Sequence, residues 1–271
     1  MSYRLDVTVG RDWLRGAQVK DAVIVQVGCG GTGSFLAEAV CRLLLGRDAD
    51  LVLVDMDRVE THNVGRQAFD PDEVGQFKAR ALAERLAKRF GRTVGYAVQP
   101  YDAGVHARIF RAQPSRLNLL IGAVDNAGAR RAIASTLDSR LDVLWLDCGN
   151  GRNSGQVLLG NATRAEQLRG VFHAEHGVCT ALPAPSLQRP DLLDVAPAPM
   201  PRLDCAEAVM HDEQGATINQ MVAAVAASYV ERLLDGTCRS MASYIDMDAG
   251  TLRTAPIEPK AFASALRMRR S

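Results

Sequence analysis

The sequence has no uninterrupted apolar run approaching the length of a bilayer-spanning helix, so a helical membrane protein is not expected. Its opening residues, MSYRLDVTVGRDWL, lack the apolar core of a secretory signal, which points to a cytoplasmic chain. Net charge is nearly absent, at +1 over 271 residues, so neither nucleic acid nor an anionic membrane surface is signalled as a partner. The six cysteines, at 29, 41, 148, 179, 205 and 238, include no C-x-x-C pair. A disulfide framework is therefore not expected, and most of these thiols read as small buried apolar groups. There is no internal repeat. What remains, 47% hydrophobic and 23% charged residues, is ordinary for a globular chain of one large α/β domain or two small ones.

The most informative segment present is VIVQVGCGGTGSFLAEAV, Val23 to Val40. It reads as a buried strand, a glycine turn and a helix start. Gly28, Gly30, Gly31 and Gly33 permit a tight turn and bring backbone N–H groups up to a phosphate at a helix N-terminus. Asp55 ends the next apolar run, LVLVD, where an acidic residue would accept hydrogen bonds from ribose hydroxyls. This much suits a nicotinamide dinucleotide, and an NAD(P)-binding oxidoreductase or sensor is one reading. The segment after Asp55 favours another. It places Asn63, Arg66, Gln67 and Lys78 together, two amides and two cations. That set suits a polyphosphate tail whose charge rises as it leaves, whereas a dinucleotide ends in a neutral or cationic ring.

Strands are expected at Ala22–Gly28, Asp50–Asp55, Val94–Pro100, Leu117–Gly122 and Val143–Cys148. Helices are expected at Thr32–Leu44, Gln76–Phe90, Ala103–Arg111 and Ala127–Leu141. The alternation argues for a parallel sheet covered on both faces. A strand at Gly155–Leu159 follows the CGNGRNSG turn. Thr180–Arg202, rich in proline and without periodicity, reads as a mobile loop or crossover. The apolar Ile218–Gly236 is expected to be a helix, either in the core or at a dimer seam. Strands at Ser243–Asp246 and Thr251–Ala255 precede a frayed basic tail, RMRRS.

The chain resembles the ThiF/MoeB/HesA family, the E1-like enzymes that adenylate the C-terminal glycine of ubiquitin-like proteins. The likeness runs from Val19 to Ala255. It is carried by GCGGTG (28–33), LVDMDRVETHNVGRQ (53–67), VGQFKA (74–79), AVDNAGAR (123–130), DCGNGRNSGQV (147–157) and Cys205-Ala-Glu-Ala. Among its variants, the chain is most similar to the short ThiF-type proteins of the plasmid-associated PRTRC system. The resemblance implies an α/β fold: a Rossmann-like, doubly wound, mostly parallel sheet with helices on both faces, a C-terminal sheet extension and a crossover loop. It implies a single adenylation domain over 1–271. Residues 20–150 would form the nucleotide-binding half and 151–271 the substrate-binding and dimerisation half, with a mobile loop at about 180–204. Two departures stand out. Where relatives carry paired cysteines for structural zinc, this chain has FHAEHGVC and, near Thr254–Glu258, no cysteine, so structural zinc is not expected. The glycine-rich VLGP-type segment of relatives is replaced by VMHDEQGATINQ.

The implied reaction is attack of a peptide carboxylate on the α-phosphorus of ATP. The four glycines would cradle the α-phosphate. Asp55 would hold the ribose, with Asp57 as a second candidate. Arg66 and Lys78 would neutralise the β- and γ-phosphates, and Asn63 and Gln67 would fix the tail. For Lys78 the competing reading is a solvated helix face. Asp125, at a strand's carboxyl end, would hold Mg²⁺ or cap the following helix, or both. Arg130 reads as an outer-shell or surface residue, and His62 as outer-shell. Arg11, with Arg15 as its rival, would reach the partner subunit's nucleotide in a homodimer. Cys205 is the candidate nucleophile for a thioester, against a buried structural thiol; Cys179 is a poorer one. His173, His176 and Cys179, with Cys205 or Cys238, offer a metal-ligand spacing, against ordinary packing. The implied partners are a small ubiquitin-like protein ending in glycine and an E2-like conjugating protein. A small peptide or metabolite carboxylate is the alternative substrate, and a scaffold that has lost its chemistry the remaining reading.

Overall fold

Among the described residues, eight strands form one sheet and three a second, smaller one. A computed structural model describes residues 2–6, 21–110, 117–137, 141–194 and 215–267. The elements run β1 (Arg4–Leu5), β2 (Asp21–Val27), α1 (Gly31–Leu43), β3 (Asp48–Val54), α2 (Lys78–Phe90), β4 (Gly95–Ala97) and α3 (Ala103–Ile109). They continue with β5 (Leu117–Gly122), α4 (Ala127–Thr136), β6 (Leu144–Asn150), β7 (Ser154–Gly160), β8 (Phe172–His173), β9 (Val178–Cys179) and α5 (Pro185–Gln188). The last are α6 (Ala216–Leu234), β10 (Ser240–Asp246), β11 (Thr251–Pro256) and α7 (Pro259–Arg267).

The large sheet is ordered β11-β10-β7-β6-β5-β2-β3-β4. Its β4-β3-β2-β5-β6 half is parallel, and β6, β7, β10 and β11 pair antiparallel. This is the mostly parallel, doubly wound sheet with an extension that the alternation predicted. The parallel strands alternate between two cores, as the period-2 pleat requires. From β2, Ile24 faces a layer with Leu36 and Val40 of α1 and Val222 and Tyr229 of α6. Val23 and Val25 face the other, with Val105 of α3, Ile133 of α4 and Trp145. Each such side chain, fully buried, contributes about 1.5–3 kcal/mol.

Boundaries shift for local reasons. α2 begins at Lys78 because Phe77 is extended, and it ends at Gly91 in the left-handed conformation. β4 keeps only three residues, the stretch that pairs with β3. Thr180–Leu193 departs further from expectation. Ala181, Leu182, Ala184 and Leu187 are buried, Pro183 bridges Ala162, and α5 starts on Pro185. Gln188 Nε2 donates to Leu159 O at 2.9 Å and Pro183 O at 2.8 Å, so this part of the expected mobile loop is packed against β7. The prolines suit it because they end or start short elements and lack an N–H to satisfy. Residues 195–204 of that loop and the MRRS portion of the tail beyond Arg267 lie outside the described residues.

Helix α6 turns one face to α1, β6 and β7, with ten buried residues, and leaves Gln220, Met221 and Glu231 exposed. The core reading of this helix therefore applies to its buried face. Among the described residues no helix is long and apolar enough to cross a membrane.

The packing around Pro183 leaves no room for a methyl group at Gly160, whose Cβ would lie 1.9 Å from Pro183 O. Gly160→Ala is expected to destabilise the fold by about 2 kcal/mol or more, as overpacking does. Urea denaturation measures this; a midpoint equal to that of the wild type would refute the close approach.

Candidate functional site

The strand order reverses at β2. β3 and β4 extend the sheet one way and β5 and β6 the other, which opens a crevice outside the carboxyl ends of β2 and β5. A cleft of about 670 Å³ lies there.

The glycines of the turn differ in what they do. Gly28 has φ +93°, and a Cβ on it would lie 2.3 Å from Ala123 O, so it serves the turn and the approach of the β5 end. A Cβ on Gly30 would make only ordinary contact, 3.9 Å from Gln67 Nε2. A Cβ on Gly31 would meet Asn219 at 2.5–2.7 Å. These three line the cleft, whereas Gly33 does not. A Cβ on Gly33 would lie 2.1 Å from Gly28 O, so this glycine lets helix pack on strand, a role the cradle reading did not name. The first N–H groups of α1 have no acceptor within the helix and sit at the cleft floor.

Asp55 follows β3. Its Oδ2 accepts from Cys29 N at 2.7 Å and its Oδ1 from Asp57 N at 2.8 Å. Burial pushes its carboxyl up, and these two N–H bonds pull it back. Lys78 is buried at the start of α2, not on a solvated face as its neighbours suggested. Its Nζ lies 3.6 Å from Asp57 Oδ2, and Asp57 is exposed. Asn63 is buried in a 3₁₀ turn, Thr61–Asn63, where its Oδ1 accepts from Glu60 N at 3.0 Å and its carbonyl accepts from Arg66 N and Gln67 N. The asparagine thereby sets the turn that presents Arg66 and Gln67 to the cleft. Arg66 is half-buried, and its guanidinium has no ion-pair partner among the described residues. Gln67 is buried, and its Oε1 has no partner among the described residues. His62 stands at the mouth, Nδ1 3.2 Å from Glu60 Oε2.

Asp125 follows β5 and projects into the cleft, its Oδ1 accepting from Asn126 Nδ2 at 3.2 Å. The N-cap of α4 is Asn126, whose Oδ1 accepts from Ala129 N at 2.8 Å. The capping role read for Asp125 is thus taken by its neighbour, and its carboxylate is left to the cleft. Of the two readings for Arg130, the surface one is excluded, because the side chain is buried behind the cleft wall. It pairs with Asp147 at 3.1 Å and donates from Nη2 to Val124 O at 2.7 Å, holding the backbone just before Asp125. Burial pushes the Asp147 carboxyl up to about 6 against the pull of Arg130.

Several cleft residues escaped the sequence reading. Arg58 donates to Gly75 O at 2.6 Å and stacks on Phe77, 3.8 Å from the ring centre. Gln99, Pro100 and Tyr101 form a wall beyond β4, with Tyr101 Oη 2.7 Å from His106 Nδ1. The carboxyl-end rule that singled out Asp125 applies equally to them. Asn150, at the end of β6, lines the cleft as well.

Arg11, Arg15 and Cys205 lie outside the described residues. Among those described, no three His, Cys, Asp or Glu converge as a metal site. His173 is in β8 and Cys179 in β9, while His176 sits beside Glu175 at 3.3 Å. The Cys179 Sγ donates to Ala181 O at 3.1 Å, and burial pushes this thiol up to about 12; Cys238 is pushed up to about 11. Neither suits a nucleophile.

Sheet, glycine turn and cation-bearing crevice define a Rossmann-like α/β protein. The ThiF family model matches residues 14–264, and the chain belongs to this E1-like family. It is 32% identical over 154 residues to ubiquitin-like modifier-activating enzyme 5 of Xenopus laevis, covering 52% of this chain and 38% of that protein. The corresponding figures for the Gallus gallus protein are 30% over 156 residues, 52% and 38%. The matched region thus spans well under half the length of these curated relatives. Crystal structures of PaaA (TM-score 0.58, 16% identity, 88% of this chain and 65% of that one) and of E. coli MccB with ATP (0.55, 17%, 88% and 64%) share the fold.

Asp147→Asn leaves the Arg130 charge buried without its counter-ion, and a loss of about 3–5 kcal/mol is expected. Replacing both partners, as Arg130→Met with Asp147→Leu, is expected to recover most of it. Chemical denaturation at neutral pH reports both, and equal losses in the single and double variants would contradict the pairing.

Proposed function

We propose that this chain uses ATP and Mg²⁺ to adenylate the C-terminal glycine carboxylate of a small ubiquitin-like protein. The observation that carries the reading is Arg66, a half-buried cation without a counter-ion among the described residues, facing the cleft that Lys78 and the glycine turn also line. An unpaired cation beside helix N–H groups calls for a multiply charged anion. Family membership and the likeness to a ubiquitin-like modifier-activating enzyme support the protein substrate. The finer likeness to PRTRC-system proteins rests on the motifs alone.

In the proposed reaction a carboxylate oxygen attacks the α-phosphorus, the bond to the α,β-bridging oxygen breaks, and pyrophosphate leaves with that electron pair. An acyl-adenylate remains. Gly30, Gly31 and the first N–H groups of α1 stabilise the α-phosphate, and Asp55 orients the ribose. Lys78 exchanges Asp57 for phosphate oxygens, while Arg66 and Gln67 take the tail that gains charge. Asp125 fits Mg²⁺: a cleft-facing carboxylate is a hard oxygen donor, and Mg²⁺ is ordinarily held by one or two carboxylates together with substrate phosphates. The ion supplies charge neutralisation between phosphates. Strong acid–base groups are not needed, because positioning and charge stabilisation lower the barrier. A homodimer with Arg11 reaching across, a thioester at Cys205 and transfer to an E2-like protein complete the proposal.

Calorimetric titration with Mg·ATP, NAD⁺, NADH and NADPH tests the nucleotide. Binding of Mg·ATP alone is expected, weakened about tenfold to a hundredfold in Arg66→Ala, the worth of a charge-assisted hydrogen bond. Binding of a nicotinamide cofactor without ATP would replace this reading with the oxidoreductase one. Since Asn126 caps α4, Asp125→Ala is expected to change stability by no more than about 0.5 kcal/mol. It should also abolish pyrophosphate exchange with the protein substrate. Normal exchange in that variant would sink the mechanism.

A further inference from the structure

Two buried carboxamides sit behind the glycine turn. Gln26, on β2, is fully buried, and its Nε2 donates to Gly28 O at 3.0 Å and to Gly33 O at 2.8 Å. One side-chain nitrogen thus ties the two ends of the turn together. Asn219, on α6, is also fully buried. Its Oδ1 accepts from Thr32 Oγ1 at 3.2 Å and from Asn150 Nδ2 at 2.6 Å, and its side chain lies against Gly31. It joins the first turn of α1 to the cleft wall at the end of β6.

Each amide also keeps one buried atom without a partner among the described residues, Gln26 Oε1 and Asn219 Nδ2. A buried polar atom without a partner is unfavourable, and an apolar side chain of the same size would avoid it. Packing alone therefore does not account for either residue; the bonds their other ends make do. The Gln26 bonds, together with two from Ser34, engage four carbonyls of the loop within the protein. Gly28 O and Gly33 O go to Gln26, Gly31 O accepts from Ser34 Oγ at 3.1 Å, and Gly30 O accepts from Ser34 N at 2.9 Å. With the acceptors engaged, the N–H face of the loop is the one offered to a ligand.

We propose that Gln26 and Asn219 are positioning residues that clamp the glycine loop from behind and set its geometry for the α-phosphate of a 5′-nucleotide. The inference rests on the ATP reading above and concerns residues that do not touch the nucleotide.

The test is calorimetric titration of the full chain with AMP and with Mg·ATP, alongside thermal unfolding. Gln26→Leu and Asn219→Ala are expected to weaken both ligands by the same factor, about tenfold, because both share the α-phosphate. Arg66→Ala is expected to weaken Mg·ATP and leave AMP unchanged. Gln26→Leu fills the same space and removes the orphaned Oε1, which offsets the lost donor to Gly28 O, so its Tm should stay near that of the wild type, a combination that a purely structural role does not produce. Asn219→Ser, which retains a hydroxyl, should recover part of the affinity and serves if Asn219→Ala does not fold. Wild-type affinity for AMP in Gln26→Leu and Asn219→Ser overturns the clamp alone. Failure of the wild type to bind either ligand overturns the nucleotide reading and the clamp with it.

Discussion

A helix can present its N-terminus to the end of a strand only if the backbones meet closely, and here they meet at Gly28 and Gly33. A methyl group on Gly33 would lie 2.1 Å from Gly28 O, and one on Gly28 would lie 2.3 Å from Ala123 O. Three segments, the end of β2, the start of α1 and the residue after β5, therefore converge within a space that excludes any Cβ. Everything the cleft offers depends on that contact. It aims the α1 N–H groups at the crevice, and it brings the β5 end, with Asp125, to the same opening. The Arg130–Asp147 pair reinforces the second wall by holding Val124 O.

The charges around this frame are unevenly compensated. Asp55 is occupied by two backbone N–H groups, and Lys78 stands 3.6 Å from the exposed Asp57. Asp57 can turn to water, which makes the lysine available at small cost when a stronger anion arrives. Arg66 has no such companion among the described residues. Arg66 and Asp125, whose carboxylate accepts from Asn126 Nδ2, line the same cleft, so the crevice carries both an uncompensated cation and an oxygen donor.

Much of this was legible because it is local. Strand–turn–helix periodicity placed β2 and α1, and Asp57, Asn63, Arg66, Gln67 and Lys78, nominated in the segment after Asp55, line the crevice. What was not legible depends on distant neighbours. The flanking VGQFKA marked Lys78 for the nucleotide against a solvated helix face, but the burial of the residue depends on the fold of the preceding loop. Gly33 looks like its three companions, but the helix turns it away from the cleft and onto Gly28. Thr180–Leu193 lacks periodicity because its residues are ordered by β7 and not by a pattern of their own. The neighbours Asp125 and Asn126 share the features of a cap, and the backbone decides which one serves. Gln26 has no local signal, since a polar residue within VIVQV reads as an interruption until its partners across the turn are seen.

These buried groups bear on how a site with few acid–base demands could work. Catalysis by charge stabilisation requires dipoles that are already oriented, because reorienting them during the reaction would cost much of what they contribute. Residues that only touch the ligand cannot supply such rigidity; it comes from the layer behind them. Here that layer consists of amides and an ion pair, each directional, each bonded to the backbone or side chains of the loops that form the cleft. Apolar packing could hold those loops in place, but it would not fix which way their carbonyls point. The orphaned atoms on Gln26 and Asn219 then follow from the geometry: a carboxamide has more donors and acceptors than one loop can use, and those left over lie in the core.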